Sequence, residues 1–169
     1  PDRPHYMKNA RYFLIKMLAD KRDRKVLGVQ VAGAGDGAKR LDVAASTIYY
    51  GGTLEDLADI DLAYAPPFSP PIDPIAVCAH VLSNKMDGLL KGVNSSELHA
   101  LREAGESVVL LDVRTPDEHS AGRIPGSTLI PLGALRTRAG EVPRDRRVIM
   151  YCKTSLRAWE GSRILAGAG

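Results

Sequence analysis

The segment with the most chemical content is Val148-Ile-Met-Tyr-Cys-Lys-Thr-Ser-Leu-Arg-Ala158. An apolar strand runs directly into Cys152, a short loop follows, and Arg157 stands at the start of a helix. In a strand–loop–helix turn of this kind, successive backbone N–H groups point into one bowl at the helix N-terminus, where an anion can be held. Such a bowl favours negative charge, and the thiolate is the form in which a cysteine acts as a nucleophile. Arg157 adds a permanent positive charge and a fork of donors suited to an oxyanion. The same spacing also fits a cysteine packed as a small hydrophobe at a strand end, and the spacing alone leaves both readings open.

Charge sharpens the picture locally. The net charge of +3 is too small to argue for nucleic acid. From Arg136 to Arg157, however, seven basic residues stand against two acidic ones, which suits either a solvated face or a positive field around an anion site. The two cysteines, Cys78 and Cys152, have no paired spacing, and the four histidines form no ligand set. No metal site is expected, and a reducing cytoplasmic setting fits best. Cys78, between Val77 and Val81 on a helix face, reads as core. No apolar run approaches the roughly 18 residues that span a bilayer, so no membrane partner is expected.

The elements that must position Cys152 fall into two sets. In the first, residues 11–19 and 26–32 read as strands around the charged turn 20–24, a hairpin. A helix fits 38–50, and Thr53 caps a short helix with acids in its first turn. Residues 61–64 read as a strand stopped by Pro66 and Pro67, prolines keep 70–74 extended, and a helix fits 75–90. The stretch 92–96 is the expected linker, with Ser95 or Ser96 capping a helix over 97–104. Beyond it strand and helix signals alternate: strands at 108–112, 128–130 and 147–151, helices at 116–119, 132–136 and 157–165. Such alternation marks a parallel sheet flanked by helices.

Residues 112–126 carry Asp112, Arg114, Glu118, Gly122, Ile124, Pro125 and Gly126 in the register D-V-R-x-x-x-E-x-x-x-G-H-I-P-G-A, with Arg123 in place of the usual His. Cys152 and Arg157 match C-x-x-G-x-R after a strand. Together these resemble the two signatures of the rhodanese (sulfurtransferase) family. The resemblance implies that Cys152 attacks sulfane sulfur and holds it as a persulfide, with Lys153, Thr154, Ser155, Leu156 and Arg157 forming the anion cradle. Asp112 and Arg114 are then structural, bracing the sheet end beside the loop. Ser155 stands where the family places Gly; if the loop needs positive φ there, strain on the order of 1 kcal/mol is expected. A phosphatase-like use of the loop is a third option that fits worse, since those phosphatases have one more residue between Cys and Arg and usually a His where Tyr151 stands.

The amino-terminal half has its own resemblance. The string 56–74, with Asp61-Leu-Ala-Tyr-Ala-Pro-Pro-Phe-Ser69 at its centre, together with the hairpin and the helix at 39–44, resembles the dimerisation domain of flavoprotein pyridine nucleotide-disulfide reductases. The order of the two halves looks like the carboxyl end of coenzyme A-disulfide reductase–rhodanese fusions. This implies a homodimer in which Tyr6 and Tyr64 reach the partner's active site; Met7 and Phe68 stand where the family often has second tyrosines. The bland reading of Tyr64 is a core tyrosine at a strand end. The resemblance implies FAD and NAD(P)H in a full-length enzyme, with thiosulfate, polysulfide or coenzyme A persulfide as sulfur donor. No G-x-G-x-x-G occurs, so the chain, read as a fragment, is expected to hold neither cofactor itself. The expected organisation is an α+β dimerisation domain over 1–88, a linker over 89–96, and an α/β rhodanese-like domain over 97–169 that is incomplete at its carboxyl end. A silent rhodanese domain acting as an oligomerisation module is the alternative.

Overall fold

Pairing of two short strands begins the fold. In the computed structural model, which describes residues 1–168, β1 (Phe13–Ala19) and β2 (Val26–Gly33) form an antiparallel hairpin with a bulge after Leu18. Alternation along β1 exposes Leu14, Lys16 and Leu18 and buries Met17, so one face of the hairpin is free to take helices. Three helices belong to this unit: α1 (Ala38–Tyr49), α2 (Leu54–Ala58) and α3 (Pro74–Met86), with α1 against β2 and α3 against β1 and α2. Met17, Val26, Ala44, Leu54, Leu57, Ile75 and Ala79 form the core, with Cys78 packed against it. The Thr53 cap of α2 is present as a reciprocal box with Asp56, and Asp73 caps α3 with Pro74 at its first position.

A second compact unit begins at Lys91. It holds α4 (Ser95–Glu103), β3 (Val108–Asp112), α5 (Pro116–Ala121), β4 (Thr128–Leu129), α6 (Leu132–Leu135), β5 (Arg147–Tyr151) and α7 (Leu156–Gly167). The three strands pair in parallel in the order β4-β3-β5. Their apolar residues, with Leu135 and Val142, bury a core around Leu111, Val113 and Ile130. Gly161 lets α7 approach: a Cβ there would lie 3.0 Å from the Met150 sulfur and 3.1 Å from Leu135. Parallel strands all end on one side, so the loops after β3 and β5 open at the same edge, the usual place for a ligand in an α/β sheet.

Three local expectations are corrected. Residues 61–64 form no strand, because no neighbouring strand offers them a ladder; Leu62 instead packs on the core of the first unit. Helix α3 stops at Met86 rather than near 90, since Gly88 takes φ +71 and turns the chain. The cap of α4 is Asn94, not Ser95 or Ser96: its side chain accepts from the Glu97 amide at 2.9 Å while Glu97 accepts the Asn94 amide at 2.8 Å. That box draws the helix start into the stretch read as linker.

Candidate functional site

Cys152 sits one residue beyond β5, at the carboxyl edge of the parallel sheet and half-buried against the second core. Lys153, Thr154, Ser155 and Leu156 are exposed, and α7 opens at Leu156. Ser155 adopts φ +67, ψ −22, the left-handed conformation that glycine takes without strain. One left-handed residue between right-handed neighbours folds consecutive N–H groups to the same side, making an anion-binding nest. Among the described residues, the amides of Lys153, Thr154, Ser155, Leu156 and Arg157 have no intramolecular acceptor. The Ala158 amide is open as well, and the first amide answered is that of Trp159, which donates to the Ser155 carbonyl at 2.9 Å. A run of open donors beside a thiol forms a site that answers negative charge.

The side chain of Arg157 is committed elsewhere. It donates to both carboxylate oxygens of Glu118, at 2.7 and 2.8 Å, a bidentate pair. Hydrogen bonds from Arg157, then from the Thr115 amide, hold the Glu118 carboxyl down at about 2. Glu118 above all, and the sulfur of Cys152 beyond it, strengthen the hold of the guanidinium on its proton. Glu118 also closes a capping box with Thr115 at the start of α5. The pair therefore ties the loop of the second signature to the short helix of the first, and its charge is cancelled on the spot.

Asp112 and Arg114 form the brace beneath. The Asp112 carboxylate, fully buried, accepts from the Arg114 amide at 3.0 Å, from Arg114 Nε at 2.9 Å and from Nη2 at 2.7 Å. His119 Nδ1 lies 3.0 Å from the same carboxylate; a carboxylate only accepts, so that nitrogen carries the proton. Burial opposes ionisation of Asp112, but Arg114 and then His119 more than offset it and hold the carboxyl well below the usual carboxylate range. Arg114 Nη2 also donates to the Gly122 carbonyl at 2.7 Å, and its guanidinium lies over the Tyr151 ring, 5.3 Å from the centroid. The Tyr151 hydroxyl in turn meets Ser127 Oγ at 2.9 Å and the Ile124 amide at 3.3 Å. The residue immediately before Cys152 is thus fixed from both sides.

The structure brings Cys152, its loop, Arg157, Asp112 and Arg114 to one sheet edge. Glu118 and His119 join them without having been assigned roles from sequence; the signal available was that Glu118 falls in the matched register. Tyr6 and Tyr64 belong to the first unit. They are 65% and 50% exposed, and their hydroxyls make no intramolecular hydrogen bond among the described residues. Tyr64 is therefore not the core tyrosine of the bland reading. Cys78 is packed as expected, and burial pushes its thiol up. No group of three metal-ligating side chains comes together among the described residues.

The glycine-rich stretch 33–37 packs tightly on the hairpin. A Cβ on Gly33 would meet Phe13 at 2.6 Å, and one on Gly37 would meet Val31 at 2.5 Å. The closeness serves the packing of this stretch against the hairpin.

Comparisons with known proteins agree with this division. Residues 94–169 match the rhodanese-like domain, and residues 1–74 match the dimerisation domain of pyridine nucleotide-disulphide oxidoreductases. The chain is 45% identical over 80 residues to an NAD(P)H coenzyme A polysulfide/persulfide reductase of Pyrococcus horikoshii, a match covering 47% of this chain and 18% of that protein. It is 31% identical over 81 residues to a sulfurtransferase of Allochromatium vinosum, covering 48% of this chain and 76% of that one. The solved NAD-dependent persulfide reductase from A. fulgidus superposes with a TM-score of 0.85 at 42% identity, over 100% of this chain and 30% of the other. The chain spans under a third of the length of each of these two reductases. Among the described residues no helix is long and apolar enough to cross a membrane.

Proposed function

Because the chain belongs to the rhodanese-like family through its carboxyl-terminal half and carries the dimerisation domain of the pyridine nucleotide-disulphide oxidoreductases in its amino-terminal half, we propose that it is the dimer-forming and sulfur-carrying part of a cytoplasmic coenzyme A disulfide, persulfide or polysulfide reductase that uses FAD and NAD(P)H. On this reading residues 1–88 pair two copies, residues 97–169 handle sulfur, and Tyr6 and Tyr64 serve the reductase centre of the partner copy.

The observation that carries the reading is the row of open amides, 153–157, around Cys152. The Cys152 thiolate attacks the outer sulfur of a sulfane donor. A Cys152–sulfur bond forms as the donor's own sulfur–sulfur bond breaks, and the donor leaves with that electron pair, as a thiolate or, from thiosulfate, as sulfite. The persulfide anion left on Cys152 then lies against the loop amides, which hold its charge without moving. In the second half, an acceptor thiolate takes the outer sulfur and returns the thiolate of Cys152. No external oxidant or reductant enters either half. Arg157, locked to Glu118, shapes the loop and orients its amides.

Incubation with thiosulfate or polysulfide should add one sulfur to the intact mass, cyanide should remove it, and Cys152→Ser should never gain it. A folded wild-type protein that gains nothing would favour the second reading, a silent domain used for association. Ser155 in place of the family's glycine is what favours that reading; against it, the serine reaches the left-handed conformation the loop needs.

A further inference from the structure

Away from the Cys152 loop, the densest polar cluster is in the first unit, and it is buried. Arg40 on α1 has no exposed surface, and Asp2, Ser69 and Asp73 around it are nearly as enclosed. Its guanidinium grips Asp73 through Nε at 3.2 Å and Nη2 at 2.8 Å. Nη1 donates to the Asp36 carbonyl at 2.9 Å, and Nη2 reaches the Asp2 carbonyl at 3.0 Å and Ser69 Oγ at 3.4 Å. A planar fork can serve this many acceptors at fixed angles; a lysine ammonium, one point charge with three donors, cannot.

Apart from Asp36, in the loop just before α1, the residues it gathers come from two segments with no strand or helix of their own, 1–11 and 61–73. Asp2 closes the first: its carboxylate accepts the Arg11 amide at 2.9 Å and the Asp36 amide at 3.2 Å, and its amide donates to the Arg11 carbonyl at 2.9 Å. Tyr6 lies within that loop. Ser69 closes the second: its Oγ donates to Asp73 Oδ2 at 2.9 Å, and the Phe68 and Ser69 amides turn back onto the Ala65 carbonyl. Tyr64 and Phe68 lie at that turn, and Phe68 is 70% exposed. Two irregular segments that present aromatic side chains to solvent therefore share one buried anchor.

We propose that Arg40 is a positioning residue that couples the Tyr6 segment to the Tyr64–Phe68 segment, so that the two tyrosines are held as one unit. Their use in sulfur reduction rests on the function proposed above; the coupling does not. Loosening one segment should be felt in the other only if the anchor joins them.

Hydrogen exchange of the intact protein tests this. Arg40→Lys should speed amide exchange about tenfold or more in both 1–11 and 61–73 while α3 keeps its protection. Should that variant not fold, Asp2→Asn decides the matter, because its carboxylate touches segment 1–11 and the Asp36 amide but nothing in 61–73: the coupling requires faster exchange in 61–73 as well. Loosening confined to 1–11 in Asp2→Asn, or to one segment in Arg40→Lys, would overturn the proposal. Turnover of coenzyme A disulfide by the full-length, flavin-loaded reductase carrying Tyr6→Phe or Tyr64→Phe reads the tyrosine role separately. Unchanged turnover there would end that role, and the exchange result would still decide the coupling.

Discussion

The two polar clusters of this chain are built on opposite plans. Around Arg40 every strong donor finds an acceptor inside its own unit, and the cluster is closed to water. Around Cys152 the arginines are paired off, Arg157 with Glu118 and Arg114 with Asp112, while a run of backbone amides from Lys153 onward is left open. A closed cluster fixes chain segments in place. An open one, held rigid by closed pairs beneath it, is prepared for a charge that arrives from outside. The contrast locates the chemistry more sharply than net charge does, because the arginines nearest the cysteine contribute form and no uncancelled charge.

The contrast is most easily broken at Arg40. Arg40→Met leaves Asp73 buried without its cation, and the first unit should lose about 3–5 kcal/mol of stability. Trp159, the single tryptophan, lies in the second unit, so its fluorescence follows that unit alone in a urea titration. Tyrosine-weighted circular dichroism should show the first unit melting early while the Trp159 transition keeps its midpoint. If both transitions move together, the two clusters do not stabilise separate structures.

The next effect falls on chemistry. Glu118→Gln removes the charge that fixes Arg157, and the loop loses a constraint without losing a donor. Sulfur loading of Cys152, followed by intact mass against time, should slow about tenfold, the scale expected when a reacting group is held less well in place. Loading at the wild-type rate would mean that the amides are fixed by the loop backbone alone.

How far the sequence spoke depended on distance along the chain. Strands β3 and β5 are read at their true bounds, because short runs of branched apolar residues between polar flanks suit a sheet buried on both faces. Cys152, Arg157, Asp112 and Arg114 stood out through local spacing. The Glu118–Arg157 pair joins residues 39 apart, and Arg40 meets partners up to 38 away. No periodicity records such contacts, and Arg40 reads along the sequence as one more charge on an amphipathic helix. Residues 61–64 misled for the converse reason: local preference suggested a strand where the fold supplies no neighbour to pair with.

Acid should weaken the Cys152 site in a predictable direction. The Glu118 carboxyl is held at about 2 against an ordinary 4.5. A depressed carboxyl contributes stability that is fully present above its unfolded value and is lost as pH falls toward its folded one. The melting temperature of the second unit should therefore fall between about pH 4.5 and 2, and the slope in that window should flatten in Glu118→Gln. Asp112, also held low, goes on contributing below it. An unchanged slope in the variant would show that the pair does not persist in solution.

The smallest effect tests the strain at Ser155. A left-handed serine costs about 1–2 kcal/mol, and glycine removes that cost but gives back roughly 0.5–1 kcal/mol through the greater freedom of the unfolded chain. The balance for Ser155→Gly is a gain of about 0.5 kcal/mol, a rise of roughly 2–4 °C in the Trp159 transition for a unit of this size. Ser155→Val should go the other way, since a branched side chain is a true outlier at φ +67. The glycine variant should also load sulfur no more slowly than wild type, because the amides already point where the nest requires. A stabilised Ser155→Gly that loaded faster would mean that the serine holds the bowl short of its best form; one that lost stability would mean that the strained conformation is not the one the loop adopts.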